Sequence, residues 1–221
     1  MKQTPIHDIH NQDVLSLIPQ RVKRVIEVGC SSGALAREFK KIHPDAFWHG
    51  LEINSEYAEQ AKRYCDETSV LDIETCNEEF FESHVDKDLW IFADVLEHLV
   101  DPWSVLKKIR GVIPEDGSVL ACLPNAQHWS VILRLISGNF VYEDAGLLDR
   151  THLRWFTRKT IVDLFVSQGF KIIEGRPRIF KLPDPKLVAL LSQVAASFGM
   201  NSGEIKNDIL PFQYVVRAIP V

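Results

Sequence analysis

The sequence predicts an α/β fold: a doubly wound, mostly parallel seven-stranded sheet with a helical insertion. Three observations predict it. Short apolar runs alternate with helical patterns through the first half, as strand–helix–strand units require. The run Leu89–Ala93 is nearly all apolar, as a strand covered on both faces should be. A glycine at Gly29 closes the first apolar run, where the chain must turn tightly from strand into helix.

Taken in order, residues 25–28 read as the first strand and 33–42 as a helix with Leu35, Phe39 and Ile42 on one face. Residues 46–53 make a second strand, and Asn54 suits the N-cap of a helix reaching Tyr64. Residues 69–71 are a short third strand and 89–93 a fourth. Asp101-Pro102 offers a cap with proline at the first helical position. Trp103, Leu106, Ile109 and Ile113 give that helix its stripe. Residues 118–123 form the fifth strand. Beyond it the pattern changes. Residues 128–137 are helical with Trp129, Ile132, Leu133 and Ile136 on one side, and 138–156 lack periodicity. Thr157 caps a helix ended by Gly169, and 170–173 begin a sixth strand that extends toward Phe180. Residues 184–198 are an amphipathic helix and 212–218 a final strand. The whole, 1–221, is expected to be one domain, with 124–156 and 181–208 as insertions capping a substrate pocket.

Composition narrows the class. With 46% hydrophobic and 25% charged residues the chain reads as a soluble globular domain. No apolar run suggests a membrane span, and residues 1–10 lack a signal-peptide core. Cys30, Cys65, Cys76 and Cys122 show no CxxC spacing, so neither a zinc site nor a disulfide framework is expected, no metal is assigned, and a cytoplasmic setting follows. A net charge of −5 argues against nucleic acid as a partner. The basic stretch 150–186 can draw an anionic substrate, or can be solvated surface.

Ligands of such sheets bind beyond the carboxyl ends of the strands. After the first strand comes Glu27-Val-Gly29-Cys30-Ser-Ser-Gly33. A dinucleotide loop needs G-x-G-x-x-G, whose three places here hold Gly29, Ser31 and Ala34. The spacing better suits a ligand without phosphates. Serine at position 31 is tolerable there if its φ is negative. After the second strand, Glu52-Ile53 places a carboxylate able to accept both ribose hydroxyls of an adenosine. That geometry serves NAD as well as S-adenosylmethionine. After the third, Asp72-Ile73 can receive an adenine amine beside an apolar wall, and after the fourth Asp94, Glu97 and His98 bunch together.

These places together resemble the class I S-adenosylmethionine-dependent methyltransferases, from about Val22 to Val221. The resemblance rests on VIEVGCSSG (25–33), LEIN (51–54), LDI (71–73) and ADVLEHLVDP (93–102). The later block GLLDRTHLRWFTRKTI (146–161) is similar to a subgroup associated with polysaccharide and glycan gene clusters. The resemblance implies S-adenosylmethionine as cofactor. It puts Glu27, Gly29, Cys30 and Gly33 around the methionine part, Glu52 and Ile53 at the ribose, and Asp72 and Ile73 at the adenine. Asp94, Val95 and Leu96 would close over the methionine end.

Methyl transfer needs an aligned acceptor and exclusion of water, and a hydroxyl acceptor also needs a base. His98 and His152 are the candidate catalytic histidines, with Asp149 three residues before His152 to orient it if the segment forms a helical turn. Asn125, His128, Arg150 and Arg154 are candidate substrate ligands, the arginines as a clamp for phosphate or carboxylate. A purely structural role for the 149–154 run is the alternative.

The leading expectation is transfer to a hydroxyl of a sugar, glycan or other polar small molecule. N- or C-methylation of a small molecule or quinone-like precursor, and a non-catalytic S-adenosylmethionine-binding protein, are the alternatives. A nicotinamide oxidoreductase is disfavoured by Ser31. The apolar stripes of the two late helices leave room for a homodimer contact or a shallow membrane contact.

Overall fold

A computed structural model describes residues 8–221; the leader reading of residues 1–10 lies, for 1–7, outside the described residues. Seven strands form one sheet in the order β3-β2-β1-β4-β5-β7-β6. They are β1 (Arg24–Val28), β2 (Phe47–Glu52), β3 (Glu67–Val70), β4 (Leu89–Ala93), β5 (Ser118–Pro124), β6 (Phe170–Arg178) and β7 (Gln213–Pro220). The first five run parallel, and β7 is antiparallel to both β5 and β6. The expected doubly wound, mostly parallel architecture is therefore the observed one.

Alternation along the strands builds two cores. Ile26, Trp90, Phe92, Val119 and Ala121 face one side, where Leu106 and Ile109 cover them. Val25, Leu89, Ile91, Leu120 and Cys122 face the other, under Val14, Leu35 and Phe39. The covering elements are α1 (Gln12–Leu17) and α2 (Ala34–Lys40) on the second face and α5 (Pro102–Val112) on the first. Trp48 and Trp90 are among the fully buried side chains. Each large aromatic buried this way contributes roughly 3–5 kcal/mol by the usual cost of truncating it to alanine.

Local signals act where the sequence places them. Asn54 caps α3 (Ser55–Ala61), its side chain accepting from the Glu56 and Tyr57 amides. Asp101 caps α5, with Pro102 in the first turn. Thr157 and Thr160 form a reciprocal capping box at α7 (Arg158–Val166). The sequence reading missed α1, α4 (Glu78–Glu82) and α9 (Ser202–Asp208), three short helices of five to seven residues. Periodicity over one or two turns is too short to register.

Two expected stripes do not bury. In α6 (Trp129–Ile136) the buried side chain is Val131, whereas Leu133, Leu135 and Ile136 are exposed. In α8 (Pro185–Ser197) the buried residues are Ser192 and Ala195, and Leu190 and Val194 face out, with Phe198 just beyond them. Ile42 lies past the end of α2 and is exposed. No helix among the described residues is long and apolar enough to cross a membrane.

Candidate active site

The glycine loop turns at the carboxyl edge of β1. Gly29 has φ +70°, and its amide and that of Cys30 donate to the Leu51 carbonyl. A Cβ on Gly29 would stand 2.6 Å from Val95 Cγ2. The loop is thus pressed against the segment leaving β4. Gly33, at φ +79°, opens α2, and a Cβ there would meet the Ala61 backbone at 3.2 Å.

Ser31 departs from the expectation. Its φ is +49°, in the left-handed region that non-glycine residues seldom occupy. The condition of a negative φ is not met. What holds the strained residue is Glu52, whose Oε2 accepts the Ser31 amide at 2.9 Å while Oε1 accepts the Asn54 amide at 3.0 Å. Glu52 therefore joins the β1 and β2 loops. Glu27 is buried beneath them and accepts from Trp48 Nε1 at 2.9 Å. Burial pushes its carboxyl up to about 8, against the pull of the Trp48 hydrogen bond and with the Glu52 charge adding to the rise.

Some residues assigned to cofactor binding turn inward. The Cys30 side chain is buried, and a Cβ on Gly50 would meet both its sulfur and that of Cys65. Ile73 and Leu96 are core side chains, so Ile73 offers no open side-chain wall to an adenine, and Leu96 could meet the methionine end only through its backbone. Only their backbones lie at the strand ends. Ile53 is exposed at the β2 edge. Asp72 caps a 3₁₀ turn through Oδ1 to the Glu74 amide at 3.0 Å. Asp94, at φ +59°, accepts from Gln213 Nε2 of β7.

The second half of the site is assembled from residues distant in sequence. The Glu97 carbonyl accepts the amides of Leu153 (2.8 Å) and Arg154 (3.0 Å). These bonds strap the 149–154 segment across the end of β4. The strap brings the His98 and His152 rings to 4.8 Å between centroids, edge to face. His152 Nε2 lies 4.0 Å from Glu97 Oε1. Glu97 is buried, and its Oε2 has no hydrogen-bond partner. Burial first, then the charges of Asp94 and Asp149, hold its carboxyl well above the usual range. Burial and the neighbouring His98 push His152 down.

Asp149 does not orient His152 as expected. Its Oδ1 accepts the Thr151 hydroxyl at 2.6 Å and the Thr151 amide at 2.8 Å. Thr151 Oγ1 lies 3.0 Å from His98 Nδ1, and the Thr151 carbonyl is 3.2 Å from the same nitrogen. A carbonyl can only accept, and the hydroxyl proton already goes to Asp149. His98 Nδ1 must therefore carry a hydrogen, which leaves its lone pair on Nε2. By the same reasoning His152 Nδ1 donates to the Leu147 carbonyl at 3.3 Å, and its Nε2 is the free base. Asp149 acts on His98, through Thr151, a residue the sequence reading did not single out.

The expected substrate ligands do not converge here. Asn125 is wholly buried. Its amide group donates to the Asp208 and Pro211 carbonyls at 2.7 and 2.8 Å, and its oxygen accepts the Gln127 amide. With each side-chain polar atom engaged, it is a structural tie between β5 and the turn into β7. His128 is buried as the N-cap of α6, held near a pKa of 4 by burial. Arg150 pairs with Asp144 at 2.8 Å. Arg154 Nε donates to the Val100 carbonyl at 3.0 Å, its guanidinium 5.8 Å from the Trp103 ring centre. The expected arginine clamp is thus not assembled.

A seven-stranded sheet with antiparallel β7, a glycine loop after β1 and carboxyl groups at the carboxyl ends of β1, β2, β3 and β4 define a class I S-adenosylmethionine-dependent methyltransferase. The chain belongs to the methyltransferase-domain family, whose profile matches residues 7–174. It is 26% identical over 149 residues to a ubiquinone biosynthesis O-methyltransferase of Actinobacillus pleuropneumoniae, covering 62% of each chain. It is 30% identical over 148 residues to the enzyme of that name from Yersinia enterocolitica, covering 62% of this chain and 59% of that one. The match thus spans about three fifths of these relatives. Among solved structures it is similar to a Synechocystis magnesium protoporphyrin IX methyltransferase with bound S-adenosylhomocysteine (TM-score 0.58, 13% identity, 93% of this chain and 77% of that one). A possible histamine N-methyltransferase from Thermotoga maritima aligns with TM-score 0.60 and 17% identity over 94% and 86% of the two chains. Those likenesses are of fold.

The local residues fit the cofactor of this class. Its sulfonium and ammonium are cationic, and the cradle holds Glu27, Glu52 and Asp94, with Gly29 and Gly33 keeping the loop free of side-chain bulk. When bound, S-adenosylmethionine supplies an electrophilic methyl group.

Proposed function

We propose that the chain transfers a methyl group from S-adenosylmethionine to a hydroxyl of a small-molecule acceptor, the acceptor lying against the His98–His152 pair. One observation carries this reading: two imidazoles with Nε2 lone pairs meet beside a buried carboxylate at the end of β4. An acceptor hydroxyl needs its proton removed, and a neutral imidazole is suited to take it. An amine acceptor has less need of such groups. Glu27, Glu52, Asp72 and Asp94 hold the cofactor in this reading. The 149–154 strap helps to exclude water, and the 124–156 and 181–208 insertions form the acceptor's rim.

The acceptor class has two candidates. A sugar or glycan hydroxyl is the first, from the 146–161 block. A phenolic, partly apolar acceptor is the second, and a specific observation favours it. The insertions expose Leu135, Ile136, Leu182 and Phe198, a rim better matched to an apolar molecule than to a sugar. The name of the ubiquinone biosynthesis O-methyltransferase relatives points the same way. Radiolabelled methyl transfer to catechols, prenylated phenols, sugar nucleotides, glycans and amines tests the reading. Labelling of a hydroxyl that falls at least 100-fold in His98→Asn, with cofactor affinity retained, is the expected result. Labelling of amines alone, or full turnover by His98→Asn, would overturn it.

A further inference from the structure

We propose that Gln213 is a positioning residue for the methyl donor: it fixes the Asp94 carboxylate at the edge of the cofactor cradle by a hydrogen bond that leaves the carboxylate its charge. The inference rests on the reading above that Asp94 helps to hold the cofactor.

Because β7 runs antiparallel to β5, its first residue, not its last, arrives at the edge where the parallel strands end. Gln213 is that residue, and it lies opposite Pro124 at the end of β5. Its Nε2 donates to Asp94 Oδ1. Asp94 sits at φ +59°, a backbone region that L-residues keep only where the surrounding structure holds them. The Asp94 amide donates to the Cys122 carbonyl at 3.1 Å. The next residue, Val95, is the one that a Cβ on Gly29 would strike. Neighbouring backbone and loop thus fix the Asp94 main chain beside the glycine loop, and Gln213 fixes its side chain.

The direction of the Gln213 amide follows from its other neighbour. An amide's oxygen and nitrogen are told apart by the partners they meet. Gln213 Oε1 accepts from Arg178 Nη1, and a guanidinium has donors only. Nε2 is therefore the group turned to Asp94, where an ionised carboxylate can only accept. Arg178 in turn donates from Nε to Asp13 Oδ2 of α1 at 2.8 Å. The four side chains form a line of carboxylate, amide, guanidinium and carboxylate, running from the end of β4 to the N-terminal helix.

The order of that line carries the inference. The Arg178 charge is matched at Asp13, and an uncharged amide stands between the guanidinium and Asp94. A lysine or arginine at position 213 could hold Asp94 as firmly, but it would pair with the charge. The donor's sulfonium and ammonium are cations, so a carboxylate that keeps its charge attracts them, the more so where water is scarce. Glutamine orients the carboxylate without cancelling its field.

Calorimetry of S-adenosylmethionine binding to the full chain, beside thermal unfolding without ligand, tests this on four variants. Asp94→Asn should bind weakly. Gln213→Leu keeps the bulk and removes the bond, and its affinity should fall by about 10-fold or more. Gln213→Lys keeps a donor and adds a charge; it should lose at least as much affinity while unfolding no earlier than Gln213→Leu. Asp94→Asn combined with Gln213→Glu exchanges the ends of the bond and sets the new carboxylate against Arg178. That double variant should unfold later than Gln213→Leu yet bind no better than Asp94→Asn alone. A role confined to folding would lower the unfolding temperature and leave the affinity of the folded protein unchanged. Wild-type affinity in Gln213→Leu or in Gln213→Lys, with Asp94→Asn weak, would overturn the proposal and leave Asp94 as a cofactor ligand. Wild-type affinity in Asp94→Asn would remove the reading of Asp94, and the role of Gln213 with it. Should Gln213→Leu fail to fold, the side-chain amide resonances of Gln213 in the wild type decide: they should shift when S-adenosylmethionine is added, and unmoved resonances would sink the idea.

Discussion

At the scale of single residues, backbone strain sits beside the cofactor cradle. Ser31 and Asp94 are the non-glycine residues with positive φ among those described. A left-handed L-residue costs about 1–2 kcal/mol, part of which glycine would return through its larger unfolded-state entropy. Ser31→Gly should therefore stabilise the chain by about 0.5–1 kcal/mol, read as a shifted urea midpoint with unchanged slope. Gly29→Ala should do the opposite. Its Cβ would displace Val95, and calorimetry should find cofactor affinity lowered by about 10-fold or more. Glu27 adds a pH dependence. Its carboxyl, raised from 4.5 to about 8, keeps a proton in the fold that the unfolded chain releases. The resulting stabilisation is complete below 4.5 and is lost as pH rises through 8. A cationic ligand that needs the carboxylate gains affinity over the same rise. S-adenosylmethionine binding should strengthen from pH 6.5 to 8.5 in the wild type and stay flat in Glu27→Gln; equal slopes in both would remove Glu27 from that role.

At the scale of elements, strands and caps were legible because their signals are local. Leu89–Ala93 is strand by its unbroken apolar run, and Asn54, Asp101 and Thr157 cap the helices they precede. The candidate site was legible in part. Glu27 and Glu52 lie in the last residues of β1 and β2, Asp72 and Asp94 just after β3 and β4, and order along the chain suffices to place them. The tautomers of His98 and His152 were not readable, because they depend on carbonyls at Thr151 and Leu147 that a nonperiodic segment folds into place. Asn125 misled for a related reason. A polar residue after a strand suggests a ligand contact, yet this one satisfies the carbonyls of a turn more than 80 residues away in the sequence. Asn125→Ala should cost about 2–3 kcal/mol, since it orphans buried carbonyls, and the loss should appear in thermal unfolding even without ligand.

At the scale of the whole molecule, buried histidines set the acid limit. His49 and His128 lie near a pKa of 4, mainly through burial, against 6.5 when free. A depressed histidine stays neutral in the fold while the unfolded chain takes up a proton, so stability falls as pH drops from about 6.5 toward 4. Denaturant midpoints measured across that window should decline, and His128→Asn should soften the decline. A flat profile would mean that both imidazoles protonate without leaving their places.

The position of β7 bears on how the chain comes together in time. This strand is the last of the seven to be synthesised, yet it lies inside the sheet, bonded to β5 on one side and to β6 on the other. Until residues 213–220 leave the ribosome, β5 has an open edge and β6 has no sheet to join. Its Gln213 also reaches Asp94 at the end of β4. A nascent chain can therefore assemble the parallel half early, while the histidine half waits for β7 to close the sheet.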